Sequence, residues 1–243
     1  MKMSMILTLI NDVRAKSIHK GESMSIRPCG ILFLIPIVLG GLQANLFAEQ
    51  TFEEIIEDAP PIHRVEEDWE FVVANPDPSL DIPQVVTVFG PTNASFDTHT
   101  VFELNHGTLP SFGEGGMQLQ VWFSDYLLGY YRHQAPTEFA TINEKVTYTT
   151  VTSINGRYLD MEVINGNSIT FGTFGADNSL RARLYTNRDD LNPYHPNNSI
   201  KHSRVTFGAN RVSYFRRNEI RFYDADGNLY AKSEADVYIH ELH

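Results

Sequence analysis

The sequence predicts an all-β protein, a two-sheet antiparallel sandwich of the jelly-roll type with a short helical tether on its N-terminal side. Hydrophobic and polar residues alternate through much of the chain after residue 84, which is the period of a strand with one buried face. Glycine, asparagine and proline separate these short segments, and no convincing helical pattern follows residue 60. Of the 243 residues, 42% are hydrophobic and 12% aromatic, so the chain is too apolar to be disordered and suits one globular domain.

Residues 1–48 have the pattern of a secretory signal. No charged residue lies between Pro28 and Ala48, and the apolar run Ile31–Leu42 (ILFLIPIVLGGL) follows the basic residue Arg27. A basic region, an apolar region and small residues, in this order, are typical of signal peptides. We therefore expect the protein to be exported to the periplasm, the cell surface or the extracellular space.

Two features of this segment leave alternatives. Cleavage is expected after Ala48 or Ala44, but leucine stands where a small residue is preferred before each site, so an uncleaved N-terminal anchor is the alternative. Residues 1–23 are interpreted as an over-extended start, because a signal that begins at Met24 has ordinary proportions. Cys29 is the single cysteine of the chain, so a chain cleaved after residue 48 has neither thiol catalysis nor disulfides.

The charge balance argues against a nucleic-acid partner. The first 48 residues hold five of the 19 basic and two of the 30 acidic side chains, so 14 basic and 28 acidic side chains follow. A domain with a formal net charge of −14 repels nucleic acid and anionic lipid. The densest basic stretch contains four arginines in a segment that alternates like a strand, and we interpret them as solvated strand positions: Arg211, Arg216, Arg217 and Arg221.

Residues 49–83 are predicted to be a tether and entry segment. Thr51 and Glu54 have the spacing of a capping box, which predicts a short helix over residues 52–58 that Pro60 and Pro61 end. A strand is expected at residues 70–74, followed by a proline-rich loop at residues 75–83.

Residues 84–243 are predicted to form the sandwich. Met117, Leu119, Val121 and Phe123 alternate with polar residues and Trp122, which indicates a half-buried strand. Asn-Gly pairs favour tight hairpin turns, so 146–154, 157–164 and 168–173 are predicted to form a three-stranded meander that turns at Asn155-Gly156 and Asn165-Gly166. Further strands are predicted at 85–89, 100–105, 126–133, 180–185, 204–207, 211–215, 219–223 and 229–239.

Two segments carry a resemblance to known proteins. Phe102–Arg132 (FELNHGTLPSFGEGGMQLQVWFSDYLLGYYR) and Arg204–Tyr230 (RVTFGANRVSYFRRNEIRFYDADGNLY) resemble segments of uncharacterised exported bacterial proteins. They also resemble the concanavalin A-like sandwich, which many lectins and glucanases share. The first resemblance implies no activity, and the second implies the fold and suggests glycan as a ligand.

A catalytic hypothesis follows from that resemblance. Glucanases of the concanavalin A-like type carry three acids at alternate positions of one strand, and here Tyr158, Asp160 and Glu162 share that alternation. Tyr158 stands where the family has its nucleophile, and a retaining glycosidase needs two carboxyl groups about 5 Å apart in different protonation states. The alternative is that Asp160 and Glu162 are solvent-face residues of an ordinary strand.

A binding face is the second hypothesis. Gln118, Gln120 and Trp122 project from one side of their strand, and if the meander joins the same sheet, Tyr158, Asp160 and Glu162 could lie beside them. Amides, carboxylates and an exposed ring together suit sugar recognition, since polar groups bind hydroxyls and the ring covers the apolar sugar face. The alternative is that Trp122 is buried under the second sheet.

No cofactor is predicted, and the one metal hypothesis concerns calcium. Asp189, Asp190 and Asn192 lie in a long polar loop, residues 187–199, and supply the oxygen ligands that calcium prefers. Residues 224–228 (DADGN) lack the order of an EF-hand loop and are predicted to form a hairpin turn.

These features together predict an exported binding module, with a polysaccharide or an envelope protein as partner, without nucleic acid, and with membrane contact only through an uncleaved N-terminal segment. Two alternatives stay open. One is a glycan-active hydrolase that uses Asp160 and Glu162, and the other is a non-enzymatic assembly or structural protein of the cell envelope.

Overall fold

A computed structural model describes residues 60–79, 82–90, 98–104, 116–135, 137–234 and 236–242. The predicted signal at residues 1–48 and the predicted helix at residues 52–58 lie outside these ranges. Within them, no helix combines the length and the apolar character needed to cross a bilayer.

The described ranges contain thirteen strands, a short α-helix and a 3₁₀ turn. In chain order they are β1 (Arg64–Val73), β2 (Val85–Phe89), β3 (Thr98–Leu104), β4 (Gly116–Phe123), β5 (Tyr126–Gln134), β6 (Glu144–Asn155), β7 (Tyr158–Ser168), β8 (Gly172–Phe174), β9 (Arg181–Tyr185), α1 (Pro196–His202), β10 (Val205–Phe207), the 3₁₀ turn (Ala209–Arg211), β11 (Val212–Tyr223), β12 (Leu229–Ser233) and β13 (Val237–Glu241).

The strands form two antiparallel sheets that pack against each other. Sheet A has the order β12-β11-β1-β6-β7-β8, with β13 also paired to β11 and β9 to β7, and sheet B has the order β10-β2-β3-β4-β5. Aromatic side chains join the sheets across the core: the rings of Phe102 (β3) and Tyr148 (β6) lie 5.2 Å apart in an edge contact. The predicted all-β sandwich is confirmed, and its jelly-roll type stays a prediction.

The alternation in β4 places one row of side chains in the core. Met117, Leu119 and Val121 are fully buried, because successive side chains of a strand point to opposite faces and this row points towards sheet A. The intervening row, which contains Gln118, Gln120 and Trp122, therefore belongs to the outer face of sheet B.

The sandwich begins earlier in the chain than predicted. β1 pairs with β11 on one side and with β6 on the other, so it lies in the middle of sheet A. Trp69, Phe71 and Val73 of this strand are buried in the core. The segment predicted as a tether therefore contributes a central strand, and the boundary at residue 84 was too late.

The predicted meander is present as β6, β7 and β8, but its second turn differs from the prediction. Asn155-Gly156 lies at the first hairpin as expected, with Gly156 at φ 62°. β7 continues through Asn165 and Gly166, where the pairing with β6 shifts and Asn165 has φ 53°. The pair therefore forms a β-bulge. A glycine is required at 166, because a Cβ there would lie 2.0 Å from the Phe174 ring.

Other boundaries differ in the last third of the chain. The strands predicted at 211–215 and 219–223 are one bulged strand, β11, and the one predicted at 229–239 is two, β12 and β13. The helix α1 was not predicted, although Pro196 at its first turn and basic residues in its last turn are ordinary helix signals. The hairpin turn at residues 224–228 is confirmed, with Asp224 accepting hydrogen bonds from the backbone of Asp226 and Asn228.

Candidate functional site

A row of hydrogen-bonded polar side chains crosses the outer face of sheet B. Glu103, Gln118 and Arg132 stand opposite one another on β3, β4 and β5. Gln118 Nε2 donates to Glu103 Oε2 at 2.9 Å, and Arg132 Nε donates to Gln118 Oε1 at 2.9 Å. Gln118 therefore uses both ends of its amide within this row and is buried beneath its neighbours.

Trp122 lies on the same face and is partly exposed. Its indole Nε1 donates to Gln120 Oε1 at 3.0 Å, and its ring is nearly parallel to the His99 imidazole, with the centroids 6.5 Å apart. The indole is therefore held in one orientation by its neighbours without being covered by sheet A.

The β4–β5 hairpin adds a large exposed side chain to this region. Tyr130, which stands opposite Gln120, is 56% exposed. The guanidinium of Arg132 lies 4.4 Å from the centre of the Tyr130 ring, so it is attracted to one face of this ring. We call the outer side of sheet B the aromatic face; it comprises His99, Glu103, Gln118, Gln120, Trp122, Tyr130 and Arg132.

The outer face of sheet A has a different character, because its carboxylates are paired with basic side chains. Arg221 binds Glu66, Asp68 and Glu219, at 2.9, 2.6 and 2.5 Å respectively. Arg216 and Lys145 both bind Glu70, at 2.8 and 3.1 Å. We call this surface the charged face; it comprises Arg64, Glu66, Asp68, Glu70, Lys145, Asp160, Glu162, Arg181, Arg183, Arg216, Glu219 and Arg221.

The two predicted catalytic acids belong to this charged network. Asp160 Oδ1 accepts from Arg183 Nε at 2.7 Å, and Asp160 Oδ2 accepts from Arg181 Nη2 at 3.0 Å. Arg181 also lies 3.5 Å from Glu162. Asp160 is only 1% exposed, because the arginines of β9 stand directly opposite it and its neighbour Glu162. Asp160 therefore lies on the outer side of its sheet, as the solvent-face alternative expected, but it is buried by the arginines and is not exposed to solvent.

Arginine pairing decides the ionisation of Asp160. Burial alone would raise the pKa of Asp160, but the hydrogen bonds from Arg183 and Arg181 outweigh it and hold this pKa below its ordinary value. Similarly, burial opposes ionisation of Glu66, yet Arg64 and Arg221 lower its pKa. The arginines therefore favour the charged form of both carboxylates.

Glu103 on the aromatic face behaves in the opposite way. Burial raises the pKa of Glu103, and its hydrogen bonds with Gln118 and Gln120 and the charge of Arg132 oppose this only in part. The difference arises because amides donate weaker hydrogen bonds to a carboxylate than paired guanidinium groups do.

The predicted binding face is divided between the two sheets. Gln118, Gln120 and Trp122 lie on the outer side of sheet B, whereas Tyr158, Asp160 and Glu162 lie on the outer side of sheet A. The premise that the meander joins the same sheet as β4 was wrong, since β6 and β7 pair with β1 instead. The six residues therefore do not form a common surface, and each half has to be considered separately.

Two of the three residues predicted to bind calcium accept local hydrogen bonds through their side chains. Asn192 Oδ1 accepts from Ile62 N at 2.9 Å, and Asp190 Oδ1 accepts from Asn192 N at 2.9 Å. Asp189 lies beside Arg188 in a cleft that Arg157, Thr186 and Asn187 also line. Among the described residues, no three His, Cys, Asp or Glu side chains are grouped so that they could hold a metal ion. The calcium site stays a prediction.

A buried charged cluster lies under α1 and was not predicted. Glu67 Oε1 accepts from Tyr194 Oη at 3.0 Å and from Ser199 Oγ, and Arg217 Nη1 lies 3.4 Å from the same oxygen. Arg217 is 5% exposed, so it is not the solvated strand residue that the sequence suggested. Burial and the charge of Glu67 raise the pKa of Tyr194 well above its ordinary value, which keeps its hydroxyl a donor.

Several residues of the aromatic face were also missed. Glu103, Tyr130 and Arg132 lie in predicted strands, but their proximity to Trp122 depends on the pairing of β3, β4 and β5. The nearest sequence signal is the run YLLGYYR at residues 126–132, which is too apolar for an edge strand whose outer side faces solvent.

Comparison of the chain with protein-family models, with curated proteins and with solved structures finds no match.

Proposed function

We propose that this protein is a non-catalytic binding module that holds a polysaccharide on its aromatic face. The observation that carries the proposal is the combination of two partly exposed rings, Trp122 and Tyr130, with a hydrogen-bonded polar row on one open sheet surface. This surface lies in the part of the chain that a secreted form would present to glycans outside the cell.

The chemistry of the aromatic face suits a sugar chain. Tyr130 stands opposite Gln120, and Trp122 lies two residues further along β4 on the same side, so the rings are neighbours on one surface. A flat apolar ring covers the C–H face of a pyranose, while amides and a guanidinium bind its hydroxyls. Because Trp122 is already oriented by Gln120, little side-chain freedom is lost when a ligand binds.

Binding rather than hydrolysis is favoured by the state of the carboxylates. Glycoside hydrolysis needs a protonated carboxyl group beside an ionised one. Two arginines enclose Asp160 and hold its pKa below the ordinary value, and the hydrogen-bonded row Glu103–Gln118–Arg132 of the aromatic face contains a single carboxylate, Glu103. The hydrolase alternative predicts that Asp160→Asn and Glu162→Gln abolish release of reducing sugar.

The test is retention of the protein in native gels that contain soluble polysaccharides, such as xylan, mixed-linkage glucan and glycol chitin. The parent should be retarded by at least one of them, and Trp122→Ala and Tyr130→Ala should each weaken its binding about tenfold, since an exposed ring stacked on a ligand contributes roughly 1–3 kcal/mol.

A matched control exists on the opposite side of the sandwich. Tyr185 is 62% exposed on the outer side of sheet A, so Tyr185→Ala removes an exposed ring without touching the aromatic face. Retention of Tyr185→Ala should equal that of the parent. If Trp122→Ala is retained as strongly as the parent, the aromatic face is not the binding surface.

A second candidate function, assembly through a protein partner, is favoured by the edge of sheet B. β5 is an edge strand of nine residues that pairs with β4 alone among the described strands, and Leu127 and Leu128 on it are about half exposed. Unprotected apolar edges favour pairing with another strand. Light scattering after size exclusion should then show a dimer or larger species that Leu128→Lys returns to a monomer.

A further inference from the structure

The chain contains two Asn-Gly pairs, Asn155-Gly156 and Asn165-Gly166, and both asparagine side chains are exposed. In such a pair the backbone nitrogen of the glycine attacks the side-chain carbonyl carbon of the asparagine and closes a five-membered ring. Glycine opposes this ring closure least, because it has no side chain. The two atoms meet only if the peptide between the residues rotates. The covalent chemistry of the two pairs is the same, so their surroundings in the fold decide their reactivity.

Asn155-Gly156 lies at the end of the β6–β7 hairpin. Asn155 and Tyr158 form the last pair of this ladder, and the hydrogen bonds of a two-residue turn join these flanking residues, so the ladder does not use the N–H of Gly156. Among the described residues beyond its chain neighbours, no atom lies within 4 Å of the position that a Cβ on Gly156 would take. The end of a hairpin with open space around it opens locally at little cost.

Asn165-Gly166 is held inside the sheet. Gly166 pairs with Phe174 of β8, and the residue after it pairs with β6 on one side and with β8 on the other. A Cβ on Gly166 would lie 2.0 Å from the Phe174 ring, so the ring packs directly against the backbone of this glycine. Gly166 is also buried, whereas Gly156 is exposed. Rotation of the peptide at Gly166 therefore requires a larger part of sheet A to open.

We propose that Asn155 is a site of self-modification, at which the folded chain converts an asparagine into aspartate and isoaspartate. Gly156 N loses its proton to a base in the solvent and forms a bond to Asn155 Cγ. The bond between Asn155 Cγ and Nδ2 breaks, and the leaving nitrogen takes a proton from water and departs as ammonia. Water then opens the cyclic imide: cleavage at Cγ gives aspartate, and cleavage at the backbone carbonyl carbon gives isoaspartate. Water is the only co-reactant.

The modification changes the end of the hairpin and leaves the other sheet untouched. Both products add a carboxylate at residue 155, next to the exposed turn residues Gly156 and Arg157. Isoaspartate also lengthens the main chain by a methylene group, which is incompatible with the pairing of Asn155 and Tyr158. The aromatic face lies on sheet B, so this inference is independent of the proposed function.

The experiment is a time course of the folded full chain in mildly alkaline buffer at 37 °C, followed by tryptic digestion and mass spectrometry. Trypsin cleaves after Lys145, Arg157 and Arg181, so the two pairs lie in different peptides, residues 146–157 and 158–181. Conversion at Asn155 should be about tenfold faster than conversion at Asn165, or more, because local opening at the hairpin end is easier. Fragment spectra assign each conversion to its residue and distinguish isoaspartate from aspartate.

The matched control is the same chain unfolded in guanidinium chloride, where the two pairs should convert at similar rates. Asn155→Gln should lose the fast conversion, since ring closure from glutamine gives a less favourable six-membered ring, and its melting temperature shows whether it is folded. Equal rates at the two pairs in the folded chain, or a faster rate at Asn165, would overturn the proposal. Asn155 that stays intact in the folded chain while the unfolded chain converts completely would overturn it as well.

Discussion

The two outer faces of this sandwich use their polar side chains in different ways. On the charged face, six carboxylates each lie within 4 Å of an arginine or lysine nitrogen. On the aromatic face, one carboxylate is joined to an arginine through the amide of Gln118, and partly exposed rings lie beside them. In a cross-strand ion pair each charge already has a partner within the sheet, and the pair stabilises the sheet. Exposed rings, in contrast, gain most from an external partner.

This difference also shows why a strand pattern is a poor guide to a site. β4 and β7 both alternate apolar and polar residues, and the polar row of each faces outward. The row on β7 is covered by the arginines of β9, while the row on β4 lies beside Tyr130 and Arg132 of β5. The neighbouring strand, not the strand itself, decides whether the row is available to a ligand.

The largest effect on stability is expected from the buried charged cluster under α1. Arg216 and Arg217 are adjacent, yet Arg216 pairs with Glu70 on the outer side and Arg217 with Glu67 in the interior. Arg217→Met leaves the Glu67 carboxylate buried without a cation, so we expect a loss of about 3–5 kcal/mol in the free energy of unfolding. Urea unfolding followed by tryptophan fluorescence measures it through Trp69, which lies in the core.

The control is Arg216→Met on the outer side, which should cost about 1 kcal/mol, because that pair is partly solvated. Adding Glu67→Gln to Arg217→Met should recover at least half of the lost stability, since the buried charge is then removed. Equal costs for the two single variants would show that burial does not distinguish the two arginines.

Asp160→Asn tests the charged face itself. The substitution keeps the shape of the side chain but weakens its hydrogen bonds with Arg181 and Arg183, so we expect a loss of about 2 kcal/mol at pH 7. Binding of polysaccharide at the aromatic face should stay at the parent level. A variant with parental stability would mean that these ion pairs contribute little despite the burial of Asp160.

The stability difference between the parent and Asp160→Asn should depend on pH. The arginines lower the pKa of Asp160 in the folded chain, so its contribution is complete above the unfolded value of about 3.9 and is lost as the pH falls through the folded pKa. The stability difference between parent and Asp160→Asn should therefore narrow below about pH 4. A difference that is constant between pH 7 and pH 3 would contradict this account.

The sequence predicted the sandwich because alternation is a local property, and the turns at residues 155–156 and 224–228 followed from local turn chemistry. It did not predict the central position of β1, because only residues 70–74 of this segment were predicted as a strand and the rest was assigned to a tether. Glu66, Asp68 and Glu70 acquire their arginine partners from β11, about 150 residues further along the chain. Long-range pairing of this kind cannot be derived from periodicity alone.

The site was predicted only in part for the same reason. Gln120 and Trp122 were selected correctly as outward residues, but they were grouped with Asp160 and Glu162 from the other sheet. Arg217 was assigned to solvent together with the other arginines of an alternating segment, whereas its contact with Glu67 under α1 explains its buried position. The assignment of strands to sheets was the missing information in each case.

The smallest effect on stability is expected at Glu103, where stability depends on pH in the opposite direction from that at Asp160. Burial raises the pKa of Glu103, so the folded chain binds more protons than the unfolded chain just above the ordinary glutamate value of about 4.3, and stability falls as the pH rises through this interval. Glu103→Gln has no such proton and keeps an acceptor for Gln118 Nε2.

Glu103→Gln should therefore lack this decline and be as stable as the parent at pH 7, or more stable by up to about 1 kcal/mol. Urea unfolding of parent and variant at pH 4, 5.5 and 7 measures the two slopes. If Glu103→Gln loses stability with rising pH as steeply as the parent, the carboxyl of Glu103 is not the origin of the decline. Opposite pH slopes at Glu103 and Asp160 would follow directly from their neighbours, since one carboxylate is held mainly by amides and the other by two guanidinium groups.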